Sequence, residues 1–209
     1  MKILIGFECS GVSRRRFRAA GHECYSCDIK AATDGETKYH WQCDILEAIV
    51  SNQWDLIILH PECTALCVSG NHVYAKGNAK HHMRIEAVTY TTTVWNLAKI
   101  KSKRVALENP VGVLTTQGNF PKPQRIQPYQ FGEDASKQTL LFLHDLPPLT
   151  IHPELRVPGR MVNGKERWAN QTDSGQNRLG PSEDRASKRA ETYGGIADAF
   201  VRDWGSLAA

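Results

Sequence analysis

Short apolar runs that end in polar residues recur along the chain, and this pattern constrains its fold more than any other feature. The clearest run is Trp54–His60, where four aliphatic residues follow one another before Pro61. Ile3–Phe7 and Lys103–Leu107 have the same character. Continuous apolar runs of this length are typical of strands buried on both faces of a parallel sheet. The sequence therefore predicts a sheet at the centre of the molecule.

Segments of helical length separate these strands. Val12–Ala20 is followed by Gly21, which favours a helix end, while Asp44–Ser51 and Arg84–Lys101 have helical length. Further strands are expected at His22–Asp28, Trp41–Cys43 and Thr139–Leu143. Strands that alternate with helices predict an α/β fold with a doubly wound, mostly parallel, Rossmann-like sheet.

The pattern weakens after Pro110. Prolines interrupt the connection between residues 121 and 128, and residues 152–182 are rich in Gly, Asn, Pro and Arg, which favours a long loop. Ser187–Trp204 is expected to form a closing helix broken by Gly194 and Gly195. We expect one domain over residues 1–209, loop-rich from about residue 111.

Size and cysteine content predict how the chain is stabilised. A chain of 209 residues can bury roughly 70% of its unfolded surface, so it needs no disulfide or metal. Its six cysteines and the lack of an export signal predict reduced thiols and a cytoplasmic location. No apolar run approaches the ~20 residues of a membrane span. Cys24 and Cys27 have zinc-site spacing, but residues three apart in a strand face opposite sides, so we expect no metal.

Polar residues gather where the predicted strands end. They are Glu8-Cys9-Ser10-Gly11, Asp28, His60-Pro61-Glu62-Cys63 and Glu108-Asn109-Pro110. Because doubly wound sheets bind ligands at the carboxyl ends of their strands, we expect these residues to form one site.

Each group suggests a chemistry and has a plainer alternative. The turn at Gly11 can bring backbone N–H groups close to a ligand, or be an ordinary strand-to-helix turn. Asp28 can accept the hydroxyls of a ribose, whereas Asp44 can meet an adenine or cap a helix. Cys63 can be a nucleophile or an inert buried thiol. Cys67, in an apolar stretch, is interpreted as a packing residue.

Basic residues are concentrated in the middle of the chain. Residues 68–130 contain nine Lys or Arg residues and two acidic ones. Such a segment predicts a surface for a polyanion, with Lys76, Lys80 and Arg84 as the candidate contacts, or else an ordinary solvated surface.

Taken in order, these motifs resemble those of the cytosine-5 DNA methyltransferases, particularly the short forms found in phages and prophages. The matching pieces are Ile5–Val12, Asp28, Asp44, His60–Thr64, Ala106–Pro110 and a closing stretch at Arg189–Ala197. The resemblance covers most of the chain. Its chemically specific parts are the cysteine that follows Pro61-Glu62 and the Glu108-Asn109-Pro110 motif.

The resemblance implies a role for each matching residue. S-adenosylmethionine would be held by Phe7, Ser10, Gly11, Asp28, Asp44 and Pro61. Cys63 would attack carbon 6 of a flipped cytosine and make carbon 5 nucleophilic towards the methyl group of the cofactor. Glu108 would hydrogen-bond the ring nitrogen and the amino group, and Asn109 would shape the loop. DNA would be the substrate, and no oligomeric state is implied.

Three departures from the family keep other functions open. Glu62 separates Pro61 from Cys63, where the family usually has proline before the nucleophile, and a neighbouring carboxylate raises the pKa of a thiol. The first turn has few glycines, and the chain is short for a full target-recognition domain. The alternatives are a degenerate methyltransferase fold that binds nucleic acid or cofactor without methylating, and an enzyme that modifies free pyrimidine nucleotides.

Overall fold

A computed structural model of the protein describes residues 1–179 and 192–207. In chain order the strands are β1 Lys2–Gly6, β2 Glu23–Asp28, β3 His40–Gln42, β4 Leu56–Leu59, β5 Val105–Pro110, β6 Gln124–Ile126, β7 Thr139–His144, β8 Arg160–Val162 and β9 Lys165–Arg167. The helices are α1 Val12–Ala19, α2 Ile45–Val50, α3 Asn71–Tyr74, α4 His81–Lys101 and α5 Gly194–Trp204. None of these described helices has the length and apolar character that crossing a membrane requires.

The central sheet has seven strands in the order β3-β2-β1-β4-β5-β7-β6. The first five strands are parallel, and β7 runs antiparallel to both β5 and β6. This arrangement confirms the predicted doubly wound, mostly parallel sheet. The chain moves outwards in one direction from β1 and in the other from β4. The crevice between the carboxyl ends of β1 and β4 is therefore where a ligand is expected.

Both faces of the sheet are covered, which explains the continuous apolar runs in the sequence. Alternate strand residues such as Ile57 and Leu107 pack with α2 and α4 on one face. Their neighbours, such as Ile58 and Ala106, pack with α1 and α5 on the other face. A strand buried on both sides has no position that favours a polar residue until it ends.

Strand pairing adds two features that the sequence did not predict, a longer β5 and a further hairpin. β5 was expected to end at Leu107 but continues through Glu108 and Asn109, because Glu108 pairs with Leu141 and Pro110 with Thr139 of β7. The expected loop at 152–182 contains a hairpin of β8 and β9. Its turn is Asn163-Gly164, with φ values of 49° and 74°, as a two-residue hairpin turn requires.

The closing helix begins at Gly194 rather than being broken there. A Cβ atom on Gly195 would overlap with the carbonyl oxygen of Phe131, so glycine allows this helix start to pack against the loop before β7. Residues 187–191, which were expected to belong to the same helix, lie outside the described residues.

We expect Gly195→Ala to lower the free energy of unfolding by about 2 kcal/mol or more, since the clash is with backbone that cannot move freely. Gly194→Ala is the matched control, because its Cβ would meet side-chain ends instead of backbone: the guanidinium of Arg16 at 2.6 Å and the carboxylate of Glu133 at 3.3 Å. Urea unfolding followed by circular dichroism would measure both. Equal stabilities for the two variants would contradict the close approach at Gly195.

Candidate active site

The turn after β1 is shaped by a buried carboxylate. Phe7 adopts a left-handed conformation with φ of 60°, and Glu8 turns back towards α1. Its carboxylate accepts hydrogen bonds from the backbone N–H groups of Ser13 at 2.7 Å and Arg14 at 3.3 Å. The start of α1 is a favourable place for a negative charge, and Glu8 already supplies it.

Ser10 and Gly11 face an ion-pair cluster. Gly11 has φ of 68°, and a Cβ atom there would overlap with the carboxylate of Asp34. Asp34 pairs with the guanidinium of buried Arg14 at 2.6 Å and with that of Arg15, which also donates to the carbonyl of Ser10 at 3.0 Å. Residues of the protein itself, Asp34 and Arg15, are thus in close contact with Ser10 and Gly11. The predicted cofactor-binding role of Ser10 and Gly11 stays a prediction.

Phe7, Asp28 and Asp44 lie at the neighbouring ends of β1, β2 and β3, where Gly6 pairs with Cys27 and Asp28 with Gln42. A fourth residue joins them. The ring of Tyr90 in α4 meets that of Phe7 edge to face, with centroids 6.3 Å apart, and its hydroxyl lies 3.4 Å from both oxygens of Asp44. Sequence reasoning missed Tyr90, which precedes the buried Thr91 in α4 and is itself partly exposed to solvent.

Asp44 caps a helix, which is one of the two roles left open by the sequence, and its contact with an adenine stays a prediction. Its side chain accepts a hydrogen bond from the N–H of Leu46 at 2.8 Å, which caps α2. The same carboxylate faces Tyr90, whose pKa is raised to about 12 by burial and by the charge and hydrogen bond of Asp44. Asp44 is therefore held in place by the helix while it faces the crevice.

The donor set in this crevice fits one half of S-adenosylmethionine. Phe7 and Tyr90 offer aromatic surface for an adenine ring, and Asp28 and Asp44 offer carboxylates for ribose hydroxyls and the adenine amino group. Asp28 accepts a hydrogen bond from the N–H of Lys30 at 2.9 Å and is only half-buried. The methionine carboxylate of the cofactor would have to find a partner other than the start of α1, because Glu8 is there.

The pairing of β4 with β5 assembles the second half of the site. Leu59 is paired with Leu107, so His60 lies beside Glu108, with 3.1 Å between Nδ1 and Oε2. Asn109 is buried and donates its side-chain N–H to the carbonyl of Pro61 at 3.1 Å. Asn109 and Pro61 thereby fix the ends of the two strands relative to each other.

Glu108 carries a negative charge at this edge. Burial alone would raise its pKa, but the hydrogen bond from His60 and the positive charge of Lys137 outweigh burial and hold the pKa below its usual range. Thr139 contributes a further hydrogen bond. Sequence reasoning assigned no role to His60 or Lys137, and the pairing of β5 with β7 that brings Lys137 near is not visible in local sequence.

Cys63 and Cys67 lie four residues apart in one turn, in which the backbone N–H of Cys67 donates to the carbonyl of Cys63 at 2.9 Å. The hydrogen bond to Cys67, burial and the negative charge of Cys67 raise the pKa of Cys63. The pKa of Cys67 is lowered to about 5, first of all by its interaction with the Cys63 thiol. Burial alone would raise this pKa, but the hydroxyl of Ser69 and the backbone N–H groups of Ser69 and Gly70 lower it further. The Cys67 Sγ and Ser69 Oγ atoms are 3.0 Å apart. The two shifts favour the proton on Cys63 and the negative charge on Cys67, which is buried as expected but is more than a packing residue.

Glu62 turns away from the thiols. It is exposed, and its carboxylate accepts a hydrogen bond from the hydroxyl of Thr64 at 2.8 Å. The charged groups that raise the pKa of Cys63 include Cys67 and Glu108, while Lys137 lowers it. Cys63 and Glu108 are thus near enough for the charge of one to act on the other.

The basic segment is not one surface. Lys76 and Lys80 are exposed between α3 and α4, at the carboxyl edge of the sheet. Arg84 is buried instead, and its guanidinium donates to the carbonyl of Ala65 at 2.7 Å and to Asn71 at 2.9 Å, so it holds the loop of Cys67 rather than facing solvent. The basic residues 99–104 precede β5 and lie at the opposite edge.

No cluster of three metal-binding side chains occurs among residues 1–179 and 192–207. Cys24 and Cys27, which have zinc-site spacing, belong to different faces of β2. Cys27 instead lies near Cys43, with 3.8 Å between the two Sγ atoms.

No protein-family model matches the chain, and no curated protein matches its sequence. Solved structures do resemble it. The Entamoeba histolytica methyltransferase EhMeth has 12% identity and a TM-score of 0.53 over 75% of this chain and 57% of its own. A protein described as a DNA modification methyltransferase encoded within an E. coli prophage has 12% identity and a TM-score of 0.43, covering 68% and 45%. The S. pombe Dnmt2 methyltransferase has 12% identity and a TM-score of 0.45, covering 68% and 48%.

This chain spans about half the length of each of these proteins. At 12% identity the similarity to EhMeth shows a shared fold. The mixed α/β architecture, with its mostly parallel seven-stranded sheet, is of the Rossmann-like type, and EhMeth shares it.

Proposed function

We propose that the protein transfers a methyl group from S-adenosylmethionine to carbon 5 of cytosine in DNA. The observation that carries the proposal is that Cys63, just after β4, lies near enough to Glu108 of the neighbouring strand β5 for the Glu108 charge to act on its thiol, beside a crevice suited to adenosine. The fold shared with a methyltransferase supports methyl transfer in general. A thiol and a carboxyl group within reach of one ring support the choice of a pyrimidine.

Cys63 is the nucleophile in this proposal, and Cys67 receives its proton. As the sulfur of Cys63 bonds to carbon 6, the double bond between carbons 5 and 6 opens and its electrons move into the ring. The proton of Cys63 passes to Cys67, four residues further on, whose lowered pKa favours a negative charge before the reaction. Because this transfer runs from the thiol of higher pKa to the thiolate of lower pKa, it occurs only as the carbon–sulfur bond forms, and no free thiolate of Cys63 is needed.

Glu108 and Asn109 orient the ring. Glu108 reaches the ring nitrogen and the amino group, and Asn109 keeps the strand end in place through Pro61. S-adenosylmethionine, when bound, supplies the electrophilic methyl group that carbon 5 attacks. The crevice residues Phe7, Tyr90, Asp28 and Asp44 orient the adenosine part, so that the chemistry occurs between the two halves of the site.

DNA is the proposed substrate, and Lys76 and Lys80 the proposed phosphate contacts. Both side chains are exposed at the same edge of the sheet as Cys63. A target base must leave its duplex, which costs a few kcal/mol, and cations beside the site help to offset this cost.

One observation favours a second function. The raised pKa of Cys63 is also what an inert thiol would have, so a protein that binds DNA or cofactor without methylating stays the alternative. The experiments on Cys63 below distinguish the two functions.

We expect the wild-type protein to form a covalent adduct with a random-sequence duplex containing 5-fluorocytosine, in the presence of cofactor, because fluorine at carbon 5 prevents release of the cysteine. Cys63→Ser should form none. Denaturing gels and mass spectrometry of the adduct peptide would measure this. An adduct that survives in Cys63→Ser would overturn the assignment, and its absence in the wild type would favour the binding function.

Cys67→Ser separates the proton acceptor from the nucleophile. Wild-type adduct formation should slow as the pH falls through about 5, where Cys67 becomes protonated. In Cys67→Ser, Cys63 must ionise by itself, so the rate at neutral pH should fall at least about tenfold and recover in alkali. A variant with the wild-type pH profile would show that Cys67 does not accept the proton.

For the cofactor, we expect Asp28→Ala to weaken binding of S-adenosylmethionine and of its demethylated product at least about tenfold, since the ribose hydroxyls would lose a charged acceptor. Glu23→Ala, at the exposed opposite end of β2, is the matched control and should bind normally. Titration calorimetry measures both. No heat from the wild type with either compound would contradict the cofactor assignment.

For DNA, we expect affinity to fall with salt by roughly 0.9 log units per log unit of salt for each phosphate neutralised. Replacing Lys76 and Lys80 together by Gln should flatten this slope. The same replacement of Lys99 and Lys103, at the opposite edge, should leave it unchanged. Fluorescence anisotropy at several salt concentrations gives the slopes, and equal slopes for both double variants would exclude a phosphate-binding role for Lys76 and Lys80.

A further inference from the structure

His60 makes a buried contact that the mechanism above leaves unused. Its Nδ1 atom lies 3.1 Å from Oε2 of Glu108, and the two side chains are only 6% and 14% exposed. Both residues directly follow the paired residues Leu59 and Leu107, so the contact is fixed by strand register rather than by a mobile loop.

Glu108 is the one hydrogen-bonding partner of the His60 ring within the described residues. The Nε2 atom is buried and has no partner there, and the nearest ring is that of Phe200, with centroids 6.4 Å apart. A desolvated imidazole with one polar contact has its protonation tied to that contact. A proton in the hydrogen bond between His60 Nδ1 and Glu108 Oε2 is therefore shared by the two side chains.

The proposed reaction requires a proton donor close to Glu108 while the carbon–sulfur bond forms. When Cys63 bonds to carbon 6, negative charge develops on the ring and is stabilised if the ring nitrogen gains a proton. An ionised Glu108 can accept the N–H of the amino group but has no proton to give. Hydrogen bonding and charge hold the pKa of Glu108 low, so Glu108 needs a neighbouring proton donor, and His60 is in hydrogen-bond contact with it.

We propose that His60 is a positioning residue that holds a transferable proton for Glu108, an inference that rests on the proposed function. As the carbon–sulfur bond forms, the proton on Nδ1 of His60 moves to Glu108, which passes a proton to the ring nitrogen. The proposal thus requires His60 to hold a proton on both ring nitrogens before the reaction and on one afterwards, while Glu108 ends as a carboxylate. After methyl transfer, the proton of carbon 5 leaves to solvent water, the carbon–sulfur bond breaks, and the proton on the ring nitrogen returns along the same route, so the pair is restored.

Other groups near the pair bear on its pH dependence. Lys137 precedes β7, and Cys63 follows β4. Each interacts electrostatically with Glu108, and the charge of Lys137 also acts on the Cys63 thiol. Cys67 carries the negative charge on the thiol side. Because all variants below keep Lys137 and both cysteines, differences between them report on His60.

The test compares His60→Gln with the wild type. Glutamine can still donate a hydrogen bond to Glu108 but cannot hold the transferable proton. We expect kcat for methyl transfer to fall about 10²-fold or more, the usual contribution of acid–base groups, with KM for DNA little changed. The variant should regain activity as the pH is lowered from 8 to 6, more steeply than the wild type, because Glu108 must then bind a proton by itself.

His152→Gln is the matched control. His152 also contacts a carboxylate, Glu154, at 3.2 Å, but this pair is exposed and distant from the proposed chemistry. Its removal should leave rate and pH profile unchanged. A His60→Gln enzyme with the wild-type rate and pH profile would overturn the inference alone, whereas a wild type without methyl transfer would overturn the proposed function and the inference with it.

The wild-type protein provides a second test that needs no stable variant. In a protein labelled with ¹³C at Glu carboxyls and ¹⁵N in His rings, the Glu108 and His60 signals should change together with pH, as a shared proton requires. Independent titration of the two signals would overturn the inference even if methyl transfer is observed.

Discussion

The in-register pairing of β4 with β5 is the constraint on which the proposed site depends. It aligns Leu59 with Leu107, and two contacts of the proposed site then follow in order along the two strands: His60 with Glu108, and Pro61 with Asn109. A slip of one residue would exchange the side chains that pack on the two buried faces, where each set fits its own neighbours. The cost of such a slip holds the side chains of the proposed site in position.

The same physics decides what the sequence could predict. Apolar runs reveal buried parallel strands, and parallel strands share a carboxyl edge, so Asp28, Cys63 and Glu108 could be placed at one edge without a structure. Distant partners could not be inferred. The continuation of β5 depends on β7, and the burial of Arg84 depends on a loop that folds back over α4. Local sequence patterns reflect the neighbours of a residue along the chain, whereas these contacts join residues that are distant in sequence.

Negative side chains of the protein itself take up backbone N–H groups at two points near the proposed site. Glu8 accepts the N–H groups at the start of α1, and the backbone N–H groups of Ser69 and Gly70 lower the pKa of Cys67. In the proposed function, the first contact would leave recognition of the cofactor to side chains such as Asp28 and Tyr90. The second favours a negative charge on Cys67, next to the proposed nucleophile Cys63, whose own pKa is raised.

Together, the two proton routes would keep the charge of a buried site constant. Cys63 gives its proton to Cys67 on one side of the ring, and the pair of His60 and Glu108 gives a proton to the ring nitrogen on the other side. The sum of charges on protein and base is then the same before and after the carbon–sulfur bond forms. Any imbalance would leave an uncompensated charge among groups that are largely shielded from water, where its solvation is poor. Paired proton transfer thus gives both Cys67 and His60 a physical reason to lie beside residues with the proposed roles.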